Sequence, residues 1–175
     1  IVNWEKMTNS ELKSFGIGLT VLRKLAKKIG RDRKLSKKLW ESDYYDERVI
    51  SLLIDDPKQI TREQAEMQVD DVNQGMLSHV FSSCDASLAK TDFVVPLLVD
   101  WVQSDDPMRK CCGYGLLYEV SKSKKKDAPD DQFFLDRIEE MRNTFDDVPV
   151  SVQGSMAGAL LGVGKRNAVL NKSSL

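Results

Sequence analysis

LSKKLWESDYYDERVISLLIDDPKQIT, residues 35–61, is the stretch that decides the fold. Leu35, Leu39 and Trp40 recur at helical spacing, and Asp32 stands before them as an N-cap. Asp43 or its neighbours open a second helix, packed by Val49, Ile50, Leu52, Leu53 and Ile54. Asp56-Pro57 ends it, because a residue before proline avoids the helical region. Thr61-Arg62-Glu63-Gln64 then reads as a capping box, with Thr61 capping and Gln64 reaching back. Two short helices, a proline stop and a fresh cap follow one another with no strand-type alternation.

The helical period continues outward from this stretch. Upstream, Val21, Leu22, Leu25 and Ile29 mark a helix that Gly30 closes. Downstream, a helix runs to about Asp71, and Asn73 begins the next, with Met76, Leu77, Val80 and Phe81 apolar. Phe93 to Val102 is a dense apolar run in which Pro96 sits near the helix start or kinks it. Pro107 stands as the first residue of a helix through Leu116, Leu117, Tyr118 and Val120. Residues 122–126, KSKKK, form a polar loop. Phe133, Phe134, Ile138 and Met141 mark a helix from about 130 to 144. Pro149 opens the last strong helix, through Met156, Leu160, Leu161 and Val163. Gly154, Gly158 and Gly162 share one face of it and allow a close helix approach.

Helix pairs start near 32, 61, 91 and 130, intervals of 29, 30 and 39 residues that fit helical repeats. A pair this short cannot bury its apolar face alone, so stacking builds the core. The expected fold is all-α: a right-handed α-solenoid, or superhelix, of antiparallel helix pairs of HEAT-like or armadillo type. A globular helix bundle is the alternative. One HEAT-like repeat domain is expected over residues 1–175. The chain starts without Met and stops in a polar NKSSL, so a fragment of a longer protein, truncated at the C-terminus, is also an expectation.

The composition, 41% apolar and 30% charged over 175 residues, supports a real core and excludes wholesale disorder. No run approaches the ~18 uninterrupted apolar residues of a transmembrane helix. Cys84, Cys111 and Cys112 cannot close a disulfide set, and no C-x-x-C is present. A reducing cytoplasm, no metal and no cofactor are expected. Cys111 and Cys112 point about 100° apart on a helix, which places one of them in the core.

The net charge of −1 hides an asymmetry. Residues 1–40 carry 11 basic and 3 acidic side chains, net +8. Residues 41–107 carry 4 and 15, net −11, and residues 108–175 carry 11 and 9, net +2. Arg23, Lys24, Lys27, Lys28, Arg31, Arg33, Lys34, Lys37 and Lys38 crowd two helices and their joint, and Lys165 and Arg166 end the last strong helix. They fit either solvated helix faces or two grips on a phosphate backbone. Ala159 to Arg166 is not a phosphate loop, because Ala159 stands at the first glycine and Arg166 at the Ser/Thr.

The order of LSKKLWES (35–42), ERVI (47–50) and LIDDPKQIT (53–61) resembles the bacterial DNA alkylation repair family built from HEAT-like repeats, the AlkD-like proteins. The resemblance continues through QVDDV (68–72), WVQSDD (101–106) and GKRN (164–167), and so covers about residues 20–170. It implies a DNA-binding alkylpurine glycosylase that holds duplex DNA in a concave face and releases cationic N3- or N7-alkylated bases. The family's cleft uses tryptophans, an aspartate and an arginine. A carboxylate stabilises developing positive charge on the sugar, indole faces attract a cationic base, and a guanidinium grips phosphate.

This chain departs from that pattern in the cleft. The places of the family's Trp-x-x-x-Asp element read Gly75 and His79. The place of the arginine reads Cys111, with Arg109 and Lys110 close by, and that of the second tryptophan reads Ala159 after Gly158. The expectation is a monomeric duplex-DNA binder with doubtful base excision. Its DNA-binding candidates are Arg23, Lys27, Lys34, Lys38, Arg109, Lys110, Lys165 and Arg166. Two other readings stay open. One is an active enzyme using His79 with Asp70 or Asp71. The other is a HEAT-type protein-interaction scaffold whose acidic middle engages a basic partner.

Overall fold

The computed structural model describes residues 11–73, 76–124 and 128–175. Among them the structure is all-α, and the β-type pairing is a lone bridge between Lys13 and Tyr44. The chain divides into two compact units, Ile1–Phe93 and Val94–Leu175.

The first unit holds α1 (Leu19–Ile29), α2 (Arg33–Trp40), α3 (Tyr45–Ile54), α4 (Arg62–Asp71), α5 (Leu77–Ser82) and a 3-10 turn at Leu88–Lys90. Helix α3 is the hub, packed by α1, α2 and α5. Val49 and Ile54 of α3 are fully buried, as are Leu22 of α1 and Val80 and Phe81 of α5, the two helices that pack on α3 beside α2. The Asp32 carboxylate accepts from the Leu35 amide and starts α2 as expected. Asp46, buried at the start of α3, accepts from the Ser14 hydroxyl (2.9 Å) and the amides of Phe15 (2.8 Å) and Ile17 (3.1 Å). One carboxylate thus pins the extended segment before α1 to the head of α3.

The second unit holds α6 (Val94–Gln103), α7 (Pro107–Ser121), α8 (Asp131–Thr144), a 3-10 turn at Phe145–Asp147, α9 (Val150–Gly164) and α10 (Ala168–Ser173). Here α7 is the hub, with α6 and α9 against it. Pro107 does sit at the start of α7, where Asp106 accepts from the amides of Met108 and Arg109. Pro96 lies in the first turn of α6, which needs no amide from it. Cys112 is buried and Cys111 only half-buried, as their angular separation requires.

Several expectations are corrected. The Gln64 side chain does not close a capping box: Thr61 accepts from the Gln64 amide, but Gln64 Nε2 donates to Asp55 Oδ2 at 3.0 Å. The side-chain amide is turned to the buried Asp55 carboxylate, and Oε1, the atom that a capping box needs as acceptor, receives no hydrogen bond among the described residues. Helix α5 begins at Leu77 rather than at Asn73. Of the apolar stripe on α1, only Leu22 is buried, while Val21, Leu25 and Ile29 are exposed. The three glycines of α9 are not equivalent. A Cβ on Gly162 would lie 2.5 Å from Tyr118 Cδ2 and 2.9 Å from Ser121 Oγ, whereas one on Gly154 or Gly158 would meet nothing within 4 Å. A further close approach is at Gly113 of α7, where a Cβ would lie 2.9 Å from the Val102 backbone nitrogen. The short helix α10 follows the last strong helix and is capped by Asn167, which accepts from the Leu170 amide.

Candidate nucleic-acid interface

In the first unit a cleft of about 610 Å³ opens beside α1. Its lining carries five cations, Arg23, Lys24, Lys27, Arg31 and Lys90, against one carboxylate, Asp85. Helix α1 supplies three of them because Lys27 falls three and four residues after Lys24 and Arg23, on one side of a 3.6-residue period. Arg31 comes from the joint to α2, and Lys90 from the 3-10 turn that ends the unit.

The basic side chains of this unit divide by job. Arg33 Nη1 donates to both oxygens of buried Asp55, at 2.9 and 2.7 Å. Asp55 also accepts from the Asp56 amide and from Gln64, so the ion is compensated on every side. Arg31 donates to the carbonyls of Leu53 and Asp55 at 2.9 Å each, and to the Ser87 hydroxyl. It caps the exposed C-terminal carbonyls of α3. Arg23 is paired with Asp85. By contrast, Lys24, Lys27, Lys28, Lys34, Lys37 and Lys38 are exposed, and none of them enters an ion pair among the described residues.

A second basic cleft, of about 590 Å³, lies within the other unit. Lys122, Lys124, Lys165 and Arg166 line it, with Tyr118, Asp131 and Asn167. Arg166 is largely engaged. It donates to the carbonyls of Ser121 (3.1 Å), Ser123 (2.8 Å) and Pro129 (3.2 Å), approaches Asp131 at 3.6 Å, and lies over the Phe134 ring at 4.8 Å. Lys122 pairs with Glu119 at 2.6 Å over the Tyr118 ring. Lys165 and Lys124 remain exposed.

The other candidates scatter. Arg109 lies in the first turn of α7 against Asp106 (3.5 Å), and Lys110 Nζ reaches the Val102 carbonyl at 3.4 Å. Of the positions matching the family's cleft, His79 is exposed on α5, Cys111 is half-buried on α7 and Ala159 is buried in α9. Gly75 lies outside the described residues. No set of metal-ligating side chains gathers among the described residues. No helix among them is long and apolar enough to cross a membrane.

Sequence reasoning missed Lys90 and Asp85, which lie more than fifty residues from α1 and in no local charge cluster. Nothing in the letters Cys84-Asp85 announces that both take left-handed backbone, φ 59° and 65°, which turns Asp85 to Arg23. Lys122 and Lys124 were legible, but only as a polar loop.

A chain of short helices in this order, with a basic cleft in each unit, has the architecture of HEAT-like repeat proteins. The chain belongs to the DNA alkylation repair enzyme family, whose model matches residues 2–173. Its fold is similar to that of a solved protein from a family related to the HEAT-like repeat DNA glycosylases, with affinity for branched DNA structures. The two superpose with a TM-score of 0.84 at 20% identity, over 97% of this chain and 71% of that one. No curated protein matches the sequence.

Proposed function

We propose that this protein binds DNA through its phosphate backbone and lacks the family's usual base-excision chemistry. The observation that carries the reading is the first unit's cleft, where five cations face one carboxylate in a member of a DNA repair family. Exposed lysines neutralise phosphates and release counterions, which needs no base-specific contact. The exposed set for this is Lys27 and Arg23 in the cleft, Lys34 and Lys38 on α2 outside its lining and, in the other unit, Lys165. Within the second unit, Arg109, Lys110 and Arg166 add positive charge from positions already bonded to the protein. The affinity of the solved relative for branched DNA makes junctions a natural substrate to include.

Reduced catalysis is supported by the residue types at the cleft positions. His79, Cys111 and Ala159 supply neither a carboxylate nor an indole, and Ala159 is 1% exposed. Without an anion, positive charge developing on the sugar has no partner. The reading takes the protein to act as a monomer in the cytoplasm, with no cofactor.

The test is fluorescence anisotropy with a plain duplex, an abasic-site duplex and a four-way junction across a salt series, beside a base-release assay on methylated DNA. Salt-sensitive binding without release of N3- or N7-methylpurines is the expected result. Release at a rate that His79→Ala abolishes would establish an active enzyme instead.

A second reading has one observation of its own. A hollow of about 460 Å³ is lined by Glu11, Asp43, Asp70 and Asp71 together with Lys13 and Arg48, four acids against two bases. It suits a basic protein partner. Absence of DNA binding at low salt, together with a partner that survives nuclease treatment, would favour this scaffold.

A further inference from the structure

We propose that the Asp85 carboxylate is a built-in competitor for DNA phosphate in the first unit's cleft. It holds Arg23 in an ion pair that a backbone phosphodiester must displace. The inference rests on the DNA-binding reading and adds a residue that sets affinity.

Asp85 is the one acidic side chain lining the cleft, and its Oδ2 meets Arg23 Nη2 directly. Both partners are open to water, with side-chain exposures of 46% for Arg23 and 57% for Asp85. An ion pair this exposed is weak and exchangeable, unlike the enclosed pair of Arg33 with Asp55. A second cation anchors the same residue by its backbone: Lys90 Nζ donates to the Asp85 carbonyl at 2.7 Å. The carboxylate is therefore held where an anionic ligand of the cleft would sit.

The backbone shows that this placement is enforced. Cys84 and Asp85 are the non-glycine residues with positive φ among the described residues, and they are consecutive. Left-handed backbone is uncommon outside glycine, although aspartate and asparagine tolerate it best. Such a conformation persists only where its surroundings over-determine it. Here Ser83 and Ala86, on either side, are buried, and the Ala86 amide donates to the Ser83 carbonyl at 3.1 Å. The turn is closed over the strained pair and aims Asp85 at α1.

In free protein the carboxylate cancels one of the five cations. On binding, a phosphate takes its place on Arg23 and Asp85 is left as a repelled neighbour. Removing its charge tightens binding and lets Arg23 count as a full phosphate contact.

The experiment compares wild type, Asp85→Asn, Arg23→Gln, the Asp85→Asn/Arg23→Gln double variant and Glu63→Gln, using a fluorescein-labelled duplex across a salt series. Asparagine keeps the left-handed preference at position 85, so the turn is retained. Glu63, exposed in the first turn of α4 and outside the cleft, controls for loss of one negative charge. Asp85→Asn is expected to bind about threefold more tightly at low salt, the scale of an exposed ion pair. Its log–log salt slope steepens by up to about 0.9, the share of one phosphate contact. In the Arg23→Gln background the gain shrinks to the residual charge effect that Glu63→Gln shows, which is less than half of it. Equal or weaker binding by Asp85→Asn, a gain undiminished by Arg23→Gln, or an equal gain from Glu63→Gln overturns the proposal while DNA binding stands. Failure of every protein to bind the duplex overturns both together.

Discussion

The two units use an arginine in the same way and their lysines differently. In the first, Arg31 closes the C-terminal carbonyls of α3, at Leu53 and Asp55. In the second, Arg166 closes those of α7, at Ser121 and just beyond it at Ser123. A planar guanidinium with five donors fits a helix end, where several carbonyls diverge. The lysines are another matter. Among the described residues, helices α1 and α2 carry six exposed lysines without an ion pair, while the second cleft keeps Lys124 and Lys165 exposed and gives Lys122 to Glu119. A count of positive residues therefore overstates the surface offered to DNA. Arginine here mostly builds the units, and lysine is left for a ligand.

The comparison breaks most visibly at the buried ion. Asp55→Ala leaves Arg33 and Gln64 facing an empty acceptor, and a broken buried pair costs about 3–5 kcal/mol. Chemical denaturation should show that loss, and Asp55→Asn should lose less because it keeps one acceptor.

Alkaline pH comes next. Burial pushes the phenols of Tyr45 and Tyr114 up to about 12, with nearby acidic groups, Asp46 and Glu140, adding to it. Both folded values lie above the ordinary 10, so the folded state holds these protons more tightly. Stability is intact below pH 10 and falls as pH rises from 10 through 12, by about 2 kcal/mol per tyrosine. Melts at pH 8 and pH 11.5 measure the fall, and Tyr114→Phe should remove its share.

Arg166→Ala should cost about 2–3 kcal/mol, because three carbonyls lose a charged donor together. If that variant keeps its stability and loses DNA binding, the division of labour between arginine and lysine is wrong. Gly113→Ala forces a methyl against the Val102 backbone and should cost at least about 1 kcal/mol. Gly158→Ala meets open space and should stabilise by about 0.5–1 kcal/mol through helix propensity. Thermal melts of the two variants sharpen where α7 is tightly packed and where α9 is not.

The fold was legible because its punctuation is local. Asp32, Asp56-Pro57, Thr61 and Pro107 sit where short-range chemistry demands a start or a stop, and the helices obey them. Gln64 misled because its partner, Asp55, is buried by tertiary packing that no four-residue motif contains. The same limit applied to the site. Lys24 and Lys27 could be found from composition along α1, but Lys90 and Asp85 reach the cleft through a chain reversal at left-handed residues. The exposed Val21, Leu25 and Ile29 teach a related lesson: helical period locates a stripe, and packing decides how much of it is covered.

The central claim is that the unpaired lysines of the first unit carry DNA binding. It is tested most directly by the salt dependence of duplex affinity for wild type and for the Lys27→Gln/Lys34→Gln/Lys38→Gln variant. These side chains enter no ion pair among the described residues, so stability should change by less than about 0.5 kcal/mol. The slope of log affinity against log salt should become shallower by up to about 2.7, three phosphate contacts at about 0.9 each. An unchanged slope in a folded variant would contradict the account.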